Sequence, residues 1–212
     1  HAQQIASLGV TDGTPVESIS AMVSPLTDRP KAIAQDGIPI LPVLEQCRLL
    51  IVGGGHIGKA VADIAYDLDF DVWVQDDRES IISEDRFPRA TKRLAGSVDQ
   101  ILPGLPIDND PYCLIVTRGH NHDEEALYYL APRGARYIGM IGSKRKIRMI
   151  FDDLRTQGIS AEDLEQVHAP VGVEIGSQTV IEIAISICAE LISHRNCNGT
   201  IIGRPAKIEV QR

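Results

Sequence analysis

The sequence is poor in aromatic residues and lacks a long apolar run. Phe, Trp and Tyr together make up 4% of the 212 residues. No apolar stretch approaches the roughly 20 residues that a membrane-spanning helix needs, and no signal-peptide pattern is visible. We therefore expect a cytoplasmic protein that makes no contact with a membrane.

Cysteine is also scarce. The four cysteines are Cys47, Cys113, Cys188 and Cys197, and they form no Cys-x-x-Cys pair and follow no regular spacing. A zinc or redox motif would show such spacing. Two of them lie within apolar segments, where reduced cysteine packs as a small hydrophobic residue. The cysteines therefore favour a reducing cytoplasm.

An excess of basic residues is missing as well. The formal net charge is −8, which argues against a general nucleic-acid surface because phosphate binding needs clustered Lys and Arg. The sequence also offers no Gly-x-Ser-x-Gly elbow, no Cys beside a His and no dense pair of carboxylates. With 43% hydrophobic and 24% charged residues, the composition is that of an ordinary globular protein of one large or two small domains.

The most informative stretch is a short apolar run followed by a glycine-rich loop. Residues 49–52 predict a buried strand, and the loop reads Gly53-x-Gly55-x-x-Gly58. In a dinucleotide site the first glycine makes the tight turn, the second lets the backbone approach a pyrophosphate, and the third permits close helix packing. Free amides at the helix start, around His56 and Ile57, would face the phosphates.

A second strand, predicted over 71–75, ends in Asp76-Asp77-Arg78. Asp76 follows Gly53 by 23 residues, close to the roughly 20 expected for the acid that binds ribose hydroxyls. Arg78 leaves the cofactor open, since a nearby arginine can accommodate the 2′-phosphate of NADP. The alternative is that these three residues form a solvated turn.

Strands and helices alternate along the chain. This order predicts an α/β fold with a doubly wound, Rossmann-type parallel sheet and helices on both faces. The helix after the first strand presents its apolar residues as one stripe (Ile57, Val61, Ile64, Ala65 and Leu68). We predict strands over 48–52, 71–75, 91–94, 112–117, 135–141 and 167–169. Later helices are predicted over 124–130, from the segment 142–146 to Gly158, and over 178–194, with a short helix that begins at a capping box, Ser160-Ala161-Glu162-Asp163.

Two further loops belong to the same edge of the predicted sheet. One carries Thr117, Arg118, His120, His122 and Asp123 before a helix that we expect to begin at Glu124. Metal binding by His120, His122 and Asp123 is an alternative. Residues at i and i+2 can chelate an ion from a loop, but a further ligand would have to come from another segment and none is obvious, so we predict no metal site.

The other loop begins a helix with the sequence Gly142-Ser143-Lys144-Arg145-Lys146. Three cations oppose the helix dipole there, and a bound phosphate would relieve that cost. A solvated basic first turn explains the pattern equally well.

The last predicted helix has Gly176-Ser177 as its cap and carries a thin polar stripe. Glu182, Ser186 and Glu190 recur at i+4 spacing among apolar residues. A carboxylate there, such as Glu182, could act as a base or bind the N–H edge of a pterin ring. An exposed stripe is the interpretation that we favour.

The flanking segments show less periodicity. Residues 1–47 contain five of the twelve prolines, which predicts a proline-containing arm or linker, with 38–44 docking as an irregular edge. The first residue is His1 and not Met, so we expect the chain to be part of a longer protein. Residues 48–195 would form the α/β domain and residues 196–212 a C-terminal tail.

Several of these motifs together resemble the XdhC/CoxI accessory proteins, in their C-terminal Rossmann domain. The resemblance covers about residues 38–195. It is carried by residues 50–58, by 74–78 with Arg86-Phe87-Pro88, by 116–123, by Tyr137-Ile-Gly-Met-Ile-Gly-Ser-Lys-Arg-Lys146, and by Val167-His-Ala-Pro-Val-Gly-Val-Glu-Ile-Gly176 with the helix that follows. Members usually also carry an N-terminal domain with a Gly-Gly-Cys motif, which has no match in residues 1–47; the arm would be what remains of it.

The resemblance implies a chaperone of molybdenum hydroxylases such as xanthine dehydrogenase. Such a protein binds the molybdenum–pterin cofactor, as molybdopterin or its dinucleotide form, favours its sulfuration by a cysteine desulfurase and delivers it to the apoenzyme. It would be a cofactor-binding maturation factor rather than a dehydrogenase, and a homodimer is a further expectation. The rival prediction is an NAD(P)-dependent oxidoreductase, and a nucleotide-sensing module ranks third.

Overall fold

The computed structural model describes residues 33–35, 38–40, 46–107, 111–197, 199–201 and 203. Within them, strands β1 to β7 span Ile33–Gln35, Ile38–Ile40, Cys47–Val52, Phe70–Asp76, Lys92–Ala95, Tyr112–Ile115 and Tyr137–Met140. Helices α1 to α6 span His56–Asp67, Val98–Ile101, His120–Leu130, Lys144–Thr156, Ala161–Glu165 and Val180–Asn196.

Five of the strands form one parallel sheet in the order β5-β4-β3-β6-β7. The chain proceeds outward from β3 to β5 and then returns to β6 on the other side of β3. This reversal creates a topological switch point between β3 and β6, where ligands bind in open α/β sheets. The predicted doubly wound, Rossmann-type fold is confirmed.

Strand β3 is buried on both of its faces. Leu49 and Ile51 pack into one hydrophobic cluster, which holds residues of α1 and α6, while Leu50 and Val52 pack into another, which holds residues of α3, α4 and α5. Helices therefore cover both faces of the sheet, and this explains why its central strands β3 and β6 consist almost entirely of apolar residues. The predicted stripe of α1 lies against the first of these clusters.

The ends of two helices differ from the prediction. Helix α3 begins at His120 and not at Glu124, because the polar residues of the preceding loop form its first turn. Helix α6 begins at Val180 with Thr179 as its cap, in place of Gly176-Ser177, since Thr179 and Glu182 together complete a capping box. The smaller predicted features were sound: β5 forms, α4 and α5 begin as expected, and His168 makes an isolated parallel bridge to Gly139.

Within the segment predicted as an arm, the described strands β1 and β2 pair in antiparallel orientation. The other residues before Gln46, and most of the predicted tail, lie outside the described residues. Among the helices that are described, none combines the length and the apolar character needed to cross a membrane.

Candidate functional site

The loops after β3, β4 and β6 meet at the carboxyl edge of the sheet, beside the switch point. Between them lies a small pocket with a cavity volume of about 80 Å³. Its walls come from the glycine-rich loop, the end of β4, the start of α2 and the first turns of α3. The lining residues are Gly53, Gln75, Asp76, Asp77, Ser97, Val98, Thr117, Arg118, His122 and Glu125.

The three glycines of the fingerprint are required for different structural reasons. Gly53 has φ of +114°, and a Cβ there would lie 2.5 Å from the carbonyl oxygen of Val116. A Cβ on Gly58 would lie 1.9 Å from the carbonyl oxygen of Gly53, so the helix and the turn touch. No atom of the described residues would lie within 4 Å of a Cβ on Gly55. Protein packing therefore explains Gly53 and Gly58, while the space beside Gly55 is open.

Asp76 is buried and ties the glycine loop to the end of β4. One of its carboxylate oxygens accepts hydrogen bonds from Gly54 N at 2.8 Å and Arg78 Nη2 at 2.8 Å. The other accepts from Arg78 N at 3.0 Å and Nε at 2.8 Å. The predicted contact with a ribose hydroxyl stays a prediction, and such a hydroxyl would have to compete with Arg78 for the same carboxylate.

These contacts set the charge state of Asp76. Burial raises the pKa of its carboxyl group, but the hydrogen bonds from Arg78 and Gly54 and the charge of Arg78 outweigh burial and lower the pKa from 3.8 to about 2. A group whose folded-state pKa is depressed stabilises the fold above its ordinary pKa. That contribution is lost as the pH falls from about 4 through about 2.

We expect Asp76→Asn to lower the free energy of unfolding by about 1–3 kcal/mol at pH 7, because a neutral amide replaces a charged acceptor. The wild type should lose part of this advantage between pH 4 and pH 2, so the two stability curves converge there. Urea unfolding at stepped pH measures both. The control is Asp85→Asn, which changes an exposed aspartate in the loop after β4. If the difference in unfolding free energy between Asp76→Asn and wild type stayed constant between pH 4 and pH 2, the prediction would be contradicted.

Asp77 and Arg118 join two of the loops across the pocket. Arg118 Nη2 donates to both carboxylate oxygens of Asp77 at 2.9 Å, and His122 Nε2 lies 3.9 Å from the same carboxylate. All three side chains are exposed. The structure therefore brings Asp77, from the loop after β4, to Arg118 and His122, which the sequence already places together after β6.

Asp123 lies inside the protein and not at the surface. It is fully buried and accepts hydrogen bonds from Thr117 N, Thr117 Oγ1 and Lys146 Nζ. It thus links the loop after β6 to the first turn of α4, and it can act on a ligand only through its partners. His120, in the first turn of α3, is exposed. Across the part of the chain that the structure describes, no group of three His, Cys, Asp or Glu residues is arranged to hold a metal ion.

The basic start of α4 divides into two parts. Ser143 is its N-cap and accepts from the backbone of Lys146 at 3.3 Å. Lys146 already has Asp123 as its counterion, so the predicted cationic trio is reduced to Lys144 and Arg145, which are exposed.

A groove with a cavity volume of about 650 Å³ adjoins this helix start. Its lining residues include Ile141, Gly142, Ser143, Ile183, Ser186 and the segment Pro170 to Ser177.

The interpretation of the α6 stripe as exposed is wrong for two of its three residues. Glu182 is exposed, and hydrogen bonds from the backbone of Thr179 and Gln178 lower the pKa of its carboxyl group. Ser186 is buried and donates to the carbonyl of Val173. Glu190 has no exposed surface, because the segment after β7 folds over this end of the helix.

Glu190 is the centre of a buried polar cluster that the sequence analysis missed. Its carboxylate accepts from Tyr137 Oη at 2.7 Å and from Gly172 N at 2.7 Å, and His168 Nδ1 lies 3.4 Å away. Together with Ser186, one turn earlier on α6, it holds the segment that forms one wall of the groove. The helical spacing of the two residues within an apolar helix was the available signal.

Arg86 was also missed as a residue of the site. Its guanidinium donates to the carbonyl oxygen of Gly54 from Nε at 3.4 Å and from Nη2 at 3.2 Å. The segment 81–87 lies against Gly54 and brings the arginine there. In the sequence its only signal is its position beside Phe87-Pro88, within a family motif.

A parallel, doubly wound sheet with a glycine-rich loop at its switch point defines a Rossmann-type domain. Residues 49–191 match the XdhC Rossmann domain, so the chain belongs to that family.

Two relatives and a solved structure are similar to the chain. An uncharacterized protein, YqeB of Escherichia coli (strain K12), is 37% identical over 150 residues, which cover 70% of this chain and 27% of that protein. A probable xanthine dehydrogenase subunit of Bacillus subtilis (strain 168) is 26% identical over 148 residues, covering 70% and 43%.

The solved structure is that of a protein described as a xanthine dehydrogenase from Bacillus halodurans. It has a TM-score of 0.63 and 31% identity, and the match covers 70% of this chain and 42% of that one. The chain therefore spans less than half the length of each of these relatives.

Proposed function

We propose that this domain belongs to an accessory protein that binds the molybdenum–pterin cofactor and delivers it to a molybdenum hydroxylase such as xanthine dehydrogenase. Membership of the XdhC Rossmann domain family supports the proposal, as do the relatives named for xanthine dehydrogenase. The structural observation that carries it is the open space at Gly55, at the N-terminus of α1. A cysteine desulfurase is the further partner that we propose.

The residues at the carboxyl edge fit the phosphorylated part of this cofactor. Helix α1 has no acidic residue in its first turn and no side-chain cap, so its first amides, around His56 and Ile57, suit a phosphate. Thr117, Arg118 and His122 line the pocket that Gly53 of the glycine-rich loop also lines. When bound, the group supplies the molybdenum and the pterin ligand on which the hydroxylase depends, while the chain binds and orients it.

The basic start of α4 is proposed as a second contact with the cofactor. Lys144 and Arg145 are exposed beside the groove that Gly142 and Ser143 line. The mostly apolar lining of this groove suits a flat ring better than a phosphate, whereas the exposed cations next to Ser143 suit an anion. Glu182, proposed for the N–H edge of the ring, would have to give up its place in the cap of α6 to reach it.

The test is titration of the purified protein with cofactor released from a molybdenum hydroxylase. We expect Gly55→Asp combined with Lys144→Glu to weaken binding at least tenfold, because the changes fill the open space and replace cationic charge with negative charge. Gly104→Asp with Lys92→Glu changes the net charge equally, away from the carboxyl edge, and should bind as the wild type does. Undiminished cofactor binding by the first variant would refute the proposed binding site. The absence of cofactor binding by the wild type would refute the proposed function.

A second proposal is an NAD(P)-dependent oxidoreductase, which the fingerprint and the position of Asp76 favour. A dinucleotide at 100 times its dissociation constant would stabilise the protein by about 2.7 kcal/mol, which a thermal melt detects. Because Arg78 is engaged by Asp76, we expect no preference for NADP over NAD. If neither dinucleotide shifts the melting temperature, the oxidoreductase proposal is refuted and the cofactor-delivery proposal is the one that remains.

A further inference from the structure

The connection between β4 and β5 packs directly onto the glycine loop. A Cβ on Gly54 would lie 3.0 Å from Ile81 Cγ2, 3.2 Å from Ile82 Cδ1 and 3.4 Å from a ring carbon of Phe87. The hydrophobic face of this segment thus covers Gly54, while a Cβ on Gly55, the next residue, would contact none of the residues that the structure describes. Arg86 is part of the segment and reaches the same peptide group.

Arg86 differs from Arg78, Arg89 and Arg118 in its partners. Arg78 pairs with Asp76, Arg118 with Asp77, and Arg89 with Asp67 at 2.7 Å. Within the described residues, Arg86 has no carboxylate oxygen within 4.0 Å, and its Nη1 has no acceptor. The uncharged carbonyl of Gly54 and the ring of the adjacent Phe87 hold the guanidinium in place.

This arrangement places two sources of positive potential beside each other. The nearest carboxylate that contacts the loop, that of Asp76 on Gly54 N, is paired with Arg78, and no described carboxylate lies within 4.0 Å of the Arg86 guanidinium. The guanidinium lies on the carbonyl that precedes Gly55, and α1 begins at the following residue with neither an acidic first turn nor a side-chain cap. An arginine fork binds phosphate oxygens with two parallel N–H bonds, and a helix start supplies further amides. A phosphate group bound next to Gly55 would be within the field of both.

We propose that Arg86 is the cation that binds the phosphate of the ligand and makes the glycine-loop site selective for phosphorylated ligands. This rests on the proposed function in one respect, namely that the loop holds a phosphorylated ligand. The guanidinium keeps its contact with Gly54 through one edge and offers Nη1 to a phosphate oxygen. Arg86 is thus a binding residue whose side chain is held in place by the glycine loop itself.

The experiment compares wild type, Arg86→Gln and Arg89→Gln by calorimetry with three probes: the molybdenum–pterin cofactor, ADP and adenosine. Gln can still donate to Gly54 but carries no charge. We expect Arg86→Gln to bind the cofactor and ADP about tenfold more weakly or worse, with no change for adenosine. Arg89→Gln removes an equal charge from an arginine that lies over Tyr66 and should bind as the wild type does. Arg86→Lys, which restores the charge, should recover part of the loss.

Each result decides a different point. If the wild type binds the cofactor or ADP and Arg86→Gln binds it equally well, the role of Arg86 is refuted while the proposed function stands. If the wild type binds ADP but not the cofactor, the proposed function fails and the ADP series still decides the role of Arg86. If it binds neither phosphorylated probe, both fail. If Arg86→Gln weakened the binding of adenosine as much as that of ADP, the loop itself would be damaged and phosphate selectivity would be refuted. Equal losses of affinity for ADP in folded Arg86→Gln and folded Arg89→Gln would refute it as well.

Discussion

Gly58→Ala is expected to destabilise the domain by about 3 kcal/mol or more, although it adds a single methyl group. The new Cβ would lie 1.9 Å from the carbonyl oxygen of Gly53 and 3.1 Å from its carbonyl carbon. Both atoms belong to backbone, so no rotamer change can relieve the clash, and overpacking of this kind is costly. The helix α1 would have to move away from β3, and its buried stripe would lose contact with the core.

Urea unfolding followed by far-UV circular dichroism measures this loss. Gly104→Ala is the matched control, since a Cβ there would meet no described residue within 4 Å, and we expect its stability to stay within about 1 kcal/mol of the wild type. If Gly58→Ala were as stable as the control, the close approach of the turn and α1 would be refuted. The variant should also lose ligand binding in proportion to its unfolding.

Glu190→Ala is expected to cost about 3 kcal/mol or more. The substitution removes the acceptor of both Tyr137 Oη and Gly172 N, in a place with no access to water, and breaking a buried polar network in this way is strongly destabilising. Glu190→Gln keeps the volume but brings an N–H group against one of the two donors, so we expect about 1–3 kcal/mol. Both variants should loosen the segment from Pro170 to Val173.

Hydrogen exchange at Gly172 and Val173 reports this loosening, and chemical unfolding reports the stability. The control is Glu182→Gln on the same helix, where the side chain is exposed and Gln can still complete the capping box; it should be close to neutral. Equal stability of Glu190→Gln and Glu182→Gln would show that the buried cluster contributes little. Unchanged exchange at Gly172 in Glu190→Ala would refute the role of Glu190 in holding the wall of the groove.

The two proposed binding surfaces depend on different parts of the fold. The pocket at Gly53 to Gly58 is formed by loops of β3, β4 and β6, which flank the switch point. The groove is formed by the end of β7, the start of α4 and the segment that Glu190 and Ser186 hold. Because α1 packs against α6 in one core cluster, variants at Gly58 and Glu190 report on stability. The single variants Gly55→Asp and Lys144→Glu instead measure the contribution of each surface to cofactor binding.

Local patterns were sufficient for the framework of the domain. The apolar run before Gly53, the spacing of the glycines and the stripe on α1 predicted the first β–α unit, since each depends on neighbours a few residues away. The alternation of strands and helices predicted the parallel sheet with helices on both faces, because parallel strands require crossovers. Ser143 and Ser160 were assigned correctly to helix starts for the same local reason.

Long-range packing decided the features that the sequence left open or predicted wrongly. The stripe of α6 looks uniform in sequence, yet Glu182 lies in solvent and Glu190 is buried, because the segment after β7 covers only one end of the helix. Lys146 and Asp123 are 23 residues apart and neutralise each other, which no helical spacing could indicate.

The sequence by itself thus determined the sheet, its glycine-rich loop and the acid at the end of β4, because short-range geometry and hydrophobic periodicity specify them. Only the tertiary structure decided which charges remain available to a ligand. Asp76 is engaged by Arg78, Asp123 by Lys146, and Glu190 by Tyr137 and Gly172, whereas the guanidinium of Arg86 donates to a neutral carbonyl. Charge pairing depends on distances across the folded chain, and folding alone brings those partners within hydrogen-bonding range.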